Sequence, residues 1–333
     1  MASTIRDVAR QAGVSIATVS RAMRDPSIVS EQTLRRVQAA ADELDYTPSH
    51  LGRQLAERRH AANGIVFPDL SGPYYAEVVL GYEGVAAELG RAVLILATHG
   101  RPAAPEMIIR LAGRCDGLVV LAGHTVPDEV LVGLAERGVP LVIAARPAVP
   151  GVDSVRAENR ATAEALAAHL VASGARSITF LGDPEGAPDV AERLAGIIAG
   201  ADAAGLEVRV LPVPSMDEQG GARAGEDLCQ RPDRLPDAIA CANDELALGL
   251  MTSLRARGVV APRDVLVTGW DDIMAARYAE LTTVRQPLHD LGATAARFLD
   301  DLIEGRRAEP RHEVLPTELI VRSSSSPAKG EDQ

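Results

Sequence analysis

Residues 4–23 read TIRDVARQAGVSIATVSRAM, and this stretch decides the fold of the first part of the chain. Apolar residues recur at helical spacing over Ile5–Ala12, which predicts a first helix there. Gly13 can adopt the positive φ that ends a helix, and Ser15 can cap the helix that follows. The stretch therefore predicts two short helices joined by a tight turn, which is a helix-turn-helix.

The residues that follow predict a third helix and then a linker. Pro26 ends the second helix, and Ser30 opens a third one that stops before Pro48. Residues 49–59, SHLGRQLAERR, favour a helix but carry too few apolar side chains to fold alone. Gly52 weakens that helix by up to about 1 kcal/mol. We therefore expect this linker helix to need DNA or a partner chain.

Beyond residue 60, short apolar runs alternate with helical stretches. A first series reads GIVFP, AVLILA, GLVVLA and PLVIAA, and a second series reads SITFLG, EVRVLPV, AIACAN and VLVTGW. Runs this short and this apolar are typical of parallel strands that are buried on both faces. The sequence therefore predicts an α/β fold with two lobes.

The net charge of the chain is −12, but it is unevenly distributed. Residues 1–60 contain nine Arg and seven Asp or Glu, a net +2, which leaves −14 for residues 61–333. Basic segments attract DNA phosphates, whereas acidic surfaces repel them. A DNA partner would therefore be approached by the first part of the chain only.

Composition gives little support to other function classes. Cys115, Cys229 and Cys241 form no CxxC pair and have no histidine at metal spacing, so we expect buried free thiols, no metal and no cofactor. The first residues lack the apolar core of a signal peptide, and no long apolar run follows. We therefore expect a cytoplasmic protein that does not bind membranes.

The opening stretch, with VSEQTLRRVQAAADELDYTPSHLGRQL after it, resembles the headpiece and hinge of the lactose-repressor-like (LacI/GalR) family of bacterial transcriptional regulators. The resemblance continues through FPDLSGPYYAEVVLGYEGVAAELG, RCDGLVVLAG, GVPLVIAARP, AIACANDELALG, GWDD and LTTVRQPLHDLG, and covers roughly residues 4–322. It implies an all-α helix-turn-helix headpiece joined to a two-lobed, periplasmic-binding-protein-like domain of parallel α/β sheets. It also implies a homodimer or higher oligomer, a pseudo-palindromic operator DNA, and a small effector such as a sugar or sugar derivative that controls operator affinity.

These patterns set the expected domain boundaries. We expect a headpiece at 1–48, a hinge helix and linker at 49–60, an effector-binding and dimerisation domain at 61–322, and a disordered tail at 323–333. Within the third segment we expect an N-lobe at about 61–157 and 287–315 and a C-lobe at about 158–286 and 316–322.

By resemblance, residues at the start of the second helix contact bases or phosphates, and two hinge residues assist them. These are Ser15, Ile16, Ala17, Thr18, Ser20 and Arg21 in the headpiece, and Arg53 and Leu55 in the hinge. An arginine can donate two parallel hydrogen bonds to guanine, apolar side chains can pack on thymine methyls, and a leucine can wedge between base pairs. The alternatives are that Ile16 and Ala17 serve the headpiece core and that Arg21 and Arg53 are merely solvated.

By resemblance, the effector lies between the lobes, where loops at the carboxyl ends of the strands converge. The expected contacts are Tyr74, Tyr75, Arg146, Arg193, Asn243, Asp271 and Gln286. Aromatic faces, a carboxylate, amides and guanidinium groups together suit a polyol ring such as a sugar. The alternatives are packing aromatics for Tyr74 and Tyr75, helix or turn caps for Asn243 and Asp271, interlobe ion pairs for Arg146 and Arg193, and a crossover hydrogen bond for Gln286. Arg193 and Asp271 could also pair with each other in an empty cleft.

Two positions depart from the family pattern. Ala145 stands where Asp is common, and Met216 lies near the place where some members have a stacking aromatic. The effector could therefore be an unusual sugar, a phosphorylated sugar or a nucleobase.

Three other functions stay open at this point. The chain could be a constitutive repressor without an effector, or a solute-binding protein built from the same two lobes. It could also be an enzyme that uses Asp271, Asp272, His124 or His289 as acid-base groups, although no catalytic motif assembles them.

Overall fold

The computed structural model describes residues 3–46, 60–68, 70–98, 101–121, 126–230, 235–307 and 309–326. The chain divides into two compact units, residues 1–60 and 61–333. Most of the predicted hinge, including Arg53 and Leu55, lies outside the described residues.

The first unit is a bundle of short helices. They are α1 Ile5–Ala12, α2 Ile16–Arg24 and α3 Glu31–Glu43, with a 3-10 turn at Pro26–Ile28 between the last two. Gly13 adopts φ 64° at the end of α1, so the predicted turn is confirmed. Val8, Val19 and Val37, one from each helix, are completely buried at the centre of the unit. Three helices therefore share one small core, as the sequence predicts.

The second unit alternates strands and helices along the chain. Its strands are β1 Ala62–Phe67, β2 Ala92–Ala97, β3 Gly117–Val120, β4 Leu141–Ala144, β5 Asp153–Ala157, β6 Ile178–Leu181, β7 Val208–Leu211, β8 Ala238–Cys241, β9 Leu266–Thr268, β10 Thr283–Arg285, β11 His312–Leu315 and β12 Glu318–Ile320. Its helices are α4 Pro73–Glu88, α5 Ala104–Ala112, α6 Asp128–Glu136, α7 Arg160–Ala172, α8 Pro188–Asp202, α9 Glu218–Cys229, α10 Asp244–Ala256, α11 Met274–Tyr278 and α12 Leu288–Ile303.

Two parallel sheets define the two lobes of this unit. The N-lobe sheet has the strand order β11-β5-β4-β3-β1-β2, and the C-lobe sheet has the order β7-β6-β8-β9. A third, two-stranded sheet pairs β10 with β12 in antiparallel register. The predicted two-lobed α/β fold is confirmed, whereas the exact lobe boundaries stay predictions.

The inner N-lobe strand β1 packs against helices on both of its faces. In β1, Ile65 and Phe67 contact the layer formed by α4 and α12, while Val66 contacts the layer formed by α5 and α6. This alternation follows from the two-residue period of a strand. In the C-lobe, α7 packs on α8 and α9 packs on α10 around a continuous apolar core.

Two strands that we expected to be buried on both faces are partly exposed. AVLILA forms β2 and EVRVLPV contains β7, and both strands lie at sheet edges. Ile95 in β2 is 49% exposed. Burial on both faces needs a complete helix layer above and below, which an edge strand does not have. The expectation that all three thiols are buried also fails at Cys229, which is half-buried.

The prediction of a disordered tail is wrong for residues 323–326. Ser324 and Ser325 are buried, and the Ser324 hydroxyl donates to the Val267 carbonyl at 2.7 Å and accepts from the Thr282 N–H at 2.8 Å. Small hydroxyl side chains fit where the C-lobe leaves backbone groups unpaired, so a polar composition does not imply disorder here. Residues 327–333 lie outside the described residues.

Within the described ranges, none of the helices has both the length and the apolar composition that crossing a bilayer requires.

Candidate functional site

The second helix of the headpiece is held by a polar cap at its start. Ser15 precedes α2, and its hydroxyl accepts a hydrogen bond from the Thr18 N–H at 3.1 Å. The Ser15 and Thr18 hydroxyls also lie 2.8 Å apart. Val19 and Ala22 are buried against the other helices, which fixes the opposite face of α2 outward.

That outward face carries the side chains expected to contact DNA. Ser15, Ile16, Ala17, Ser20 and Arg21 are exposed, and Thr18 is half-buried. Ile16 is 45% exposed, so the alternative that Ile16 and Ala17 serve the headpiece core is wrong. The nucleic-acid contacts themselves stay predictions.

The second candidate site is a cleft between the lobes of the second unit. A cavity there is lined by Tyr74, Ala145, Arg146, Pro147, Arg156 and Ala157 from the N-lobe and by Asn159, Asp189, Glu192, Arg193 and Gln286. The volume of this cavity is about 10 Å³, which is roughly the room that one water molecule needs. The lobes are therefore closed on each other, and a larger ligand requires them to separate.

Arg193, on α8, is buried and fully engaged on the C-lobe side of the cleft. Its Nε donates to Asn159 Oδ1 at 2.9 Å, its Nη1 to the Ala242 carbonyl at 2.8 Å, and its Nη2 to Asp189 Oδ2 at 2.8 Å. The guanidinium also lies 4.8 Å from the centre of the Trp270 ring. This environment holds the guanidinium in one orientation.

Asp271 is also buried, and among the described residues its carboxylate has one side-chain donor. Gln286 Nε2 donates to Asp271 Oδ1 at 2.6 Å. Burial raises the pKa of Asp271 to about 7, and the positive charge of Arg193 opposes this rise without cancelling it. In the closed cleft the carboxyl therefore holds a proton over part of the neutral pH range.

The suggested pairing of Arg193 with Asp271 is not observed. Arg193 is taken by Asp189, four residues earlier on the same helix, and Asp271 is taken by Gln286. Asp189 belongs to the same helix as Arg193, so this ion pair does not depend on how far the lobes are apart. Asp271 belongs to a different segment, which follows β9.

Asn243 acts as a helix cap in the closed cleft. Its Oδ1 accepts from the Leu246 N–H at 2.9 Å at the start of α10, and its Nδ2 donates to the Met216 carbonyl at 2.8 Å. The structural alternative considered for this residue therefore holds in this state, and its effector contact stays a prediction.

The predicted N-lobe contacts occupy two different environments. The ring of Tyr75 packs edge-on against Phe67 and Tyr74, at centroid distances of 5.5 Å and 5.1 Å. Tyr74 lines the cavity, and burial raises the pKa of its hydroxyl well above the usual value, with the charges of Asp189 and Asp271 adding to the effect. Arg146 pairs with Asp128 of its own lobe, so its ion pair does not join the lobes as we had considered.

Four polar lining residues were not predicted from the sequence. Asn159, Asp189 and Glu192 lie at the start of α7 and on α8, and Arg156 lies on β5. Asp189 stands four residues before Arg193, so helical spacing placed it beside that guanidinium but did not show that it faces the other lobe. Glu192 is the neighbour of Arg193 in the chain and has no such spacing signal.

The residues considered for catalysis are not assembled. The His289 side chain is 64% exposed, with its Nδ1 4.0 Å from Asp290 Oδ1, whereas Asp271 and Asp272 are buried. His124 lies outside the described residues. In the part of the chain that the structure describes, no cluster of side chains has the composition of a metal site.

Comparisons with known proteins give a family match in each of the two units. Residues 4–49 match the family described as bacterial regulatory proteins, lacI family, and residues 167–325 match the periplasmic binding protein-like domain. The transcriptional regulator RegA of Clostridium saccharobutylicum is 30% identical over 332 residues, which cover 98% of this chain and 100% of RegA.

Two solved structures are similar over nearly the whole chain. The lac repressor dimer bound to operator and the anti-inducer ONPF has a TM-score of 0.87 and 26% identity, covering 98% of this chain and 100% of that one. A complex of the transcriptional regulator CelR with cellobiose has a TM-score of 0.71 and 31% identity, covering 97% and 99%. The headpiece and the two-lobed domain together define a DNA-binding transcriptional regulator under effector control. The chain belongs to the LacI family of bacterial regulatory proteins.

Proposed function

We propose that this regulator is a repressor that binds a pseudo-palindromic operator as a homodimer, and that a sugar or sugar derivative in the interlobe cleft controls its operator affinity. The proposal rests above all on α2, whose capped start presents Ile16, Ser20 and Arg21 outward on a packed three-helix core. The operator in the lac repressor structure and the cellobiose in the CelR structure support the same assignment.

We assign different DNA contacts to the different headpiece residues. Arg21 reads a guanine through a bidentate hydrogen bond, Ile16 and Ala17 pack on thymine methyls, and the hydroxyls of Ser15, Thr18 and Ser20 bind phosphates. Arg53 and Leu55 act in the minor groove between two half-sites.

We assign the cleft residues to a site that binds a polyol and does not catalyse a reaction. Asp271 accepts from effector hydroxyls, Arg193, Asn243 and Gln286 donate or accept at ring and hydroxyl oxygens, and Tyr74, Tyr75 and Arg146 complete the N-lobe wall. The relatives are transcriptional regulators, and no acid-base pair is assembled among the described residues. Because its proposed partner is operator DNA, the proposal includes a cytoplasmic location.

The test is the binding of full-length protein to selected palindromic duplexes, measured by fluorescence anisotropy at several salt concentrations. Arg21→Ala is expected to lose about 1–3 kcal/mol at one base position in each half-site, because one bidentate base contact disappears. Arg35→Ala removes the same charge from α3 and is expected to weaken all duplexes alike. A wild-type protein that prefers no duplex, or an Arg21→Ala variant with unchanged base preference, would contradict the assignment.

A further inference from the structure

The two walls of the interlobe cleft differ in charge. The N-lobe residues that line the cavity include Arg146 and Arg156 and no carboxylate, whereas the facing wall includes Asp189 and Glu192 beside Arg193. Asp128, which pairs with Arg146, is not among the lining residues, so the N-lobe wall is basic where it faces the cavity.

Arg156 is held across the cleft by a carboxylate of the other lobe. Its Nη1 donates to Glu192 Oε2 at 2.6 Å, and β5 and α8, which carry the two residues, belong to different lobes. A guanidinium has five N–H donors. The other donors of Arg156 make no hydrogen bond within the described ranges, so most of its binding capacity is unused by the protein.

The Arg156–Glu192 pair is easily exchanged. The two side chains are 32% and 35% exposed, and ion pairs with this exposure add little to stability. Both residues also line the small cavity and a neighbouring one of about 370 Å³ that reaches Arg160. Parting Arg156 from Glu192 would join these spaces into one of the size that small ligands occupy.

We propose that the basic N-lobe wall is an anion subsite and that the effector is a polyol carrying a phosphate or carboxylate group. In the empty cleft the Glu192 carboxylate occupies the place of that anion on Arg156. The effector's anionic group takes the guanidinium of Arg156, with Arg146 on the same wall, while its hydroxyls face the acidic wall. This inference rests on the proposed effector-controlled function and names the chemical class of the effector.

The first test uses inorganic phosphate as the probe and the thermal unfolding of the full chain as the readout, at constant ionic strength. Wild type is expected to show saturable stabilisation, about 2–4 °C at ten times the Kd. Glu192→Gln removes the internal competitor and is expected to bind phosphate about five-fold more tightly. Arg156→Gln loses charge-assisted hydrogen bonds and is expected to bind at least about ten-fold more weakly.

The matched control is Arg209→Gln, which makes the same change on the exposed edge strand β7 and is expected to leave the phosphate Kd unchanged. Phosphate binding that is absent from both wild type and Glu192→Gln, or that is equal in wild type and Arg156→Gln, would overturn the anion subsite. In that case the Arg156–Glu192 pair only ties the lobes together.

The second test identifies the source of the anion by calorimetric titration. Glucose 6-phosphate, ribose 5-phosphate and glucuronate are compared with glucose and ribose, in wild type and Arg156→Gln. The proposal expects an anionic member to bind at least ten-fold more tightly than its neutral parent, and Arg156→Gln to remove that difference. Equally tight binding of the neutral parent would overturn the inference but leave the regulator intact, because operator selection depends on the headpiece and is tested separately through Arg21.

Discussion

The carboxyl group of Asp271 makes stability depend on pH. Its pKa in the folded protein is raised to about 7 by burial, above its usual value of 3.8. The folded state therefore binds this proton more tightly than the unfolded state does, and the stability it confers is lost as the pH rises from about 4 to 7. Asp271→Asn cannot titrate but keeps an oxygen for Gln286. We expect the free energy of unfolding of the variant, relative to wild type, to increase by about 2–3 kcal/mol between pH 5 and pH 8.

Urea denaturation of the ligand-free protein at both pH values measures this difference. Asp202→Asn makes the same change at an exposed position at the end of α8 and serves as the control. A relative stability of Asp271→Asn that does not change with pH would show that the carboxyl is ionised in the closed cleft.

Ser324 is a second residue whose role depends on burial. Its hydroxyl bridges the Val267 carbonyl and the Thr282 N–H inside the C-lobe. Ser324→Ala leaves both backbone groups without this partner, and we expect a loss of about 1–3 kcal/mol in the free energy of unfolding. Ser323→Ala changes an exposed neighbour and is expected to stay within about 0.5 kcal/mol of wild type. Chemical denaturation compares the two, and equal effects would contradict the bridging role.

At the residue scale, the sequence predicted where the cleft lies better than it predicted which charged residues pair with each other there. Four of the seven predicted contacts line the cavity, namely Tyr74, Arg146, Arg193 and Gln286. The other three, Tyr75, Asn243 and Asp271, are not among its lining residues, and all seven effector contacts stay predictions. Asp189 and Glu192 escaped prediction because a charged residue on a helix has the same pattern whether it faces water or another lobe. Both are half-buried at the cleft, and the closeness of the lobes there depends on contacts between residues far apart in the chain.

At the scale of elements, the helix pairs of the second unit depend on glycine. A Cβ on Gly81 in α4 would come within 1.9 Å of the His289 carbonyl oxygen in α12, so the two backbones touch there. Gly84 lies on the same helix with no atom within 4 Å of its Cβ position. Gly81→Ala is expected to destabilise the protein by at least about 1–3 kcal/mol through overpacking, whereas Gly84→Ala should stabilise it by about 0.5–1 kcal/mol through helix propensity.

Chemical denaturation followed by circular dichroism measures the change in the free energy of unfolding for both glycine variants, which is expected to be negative for Gly81→Ala and positive for Gly84→Ala. If Gly81→Ala proved as stable as Gly84→Ala, the close approach of α4 and α12 would be wrong.

Strands and helices were predictable from local patterns, but their order in the sheets was not. The run AVLILA is as apolar as GLVVLA, yet the first is the edge strand β2 and the second contains the central strand β3. The apolar content of a strand indicates how much surface it can bury. Its position in the sheet depends on how the helical connections order the neighbouring strands. The short strands β10 and β12 pair across a long stretch of chain and carry no local signal of it.

At the scale of the whole molecule, the basic first sixty residues and the acidic remainder assign DNA and effector to different units. Control of one by the other then requires a coupling free energy between two sites, and that energy acts equally in both directions. We expect a saturating effector to change operator affinity by about 5- to 150-fold, and operator to change effector affinity by the same factor. Anisotropy with and without effector measures the first factor, and calorimetry with and without operator measures the second, with a scrambled duplex as the control. An effector that binds tightly while both factors equal one would mean that the cleft is not coupled to the headpiece, and the protein would then be a constitutive repressor.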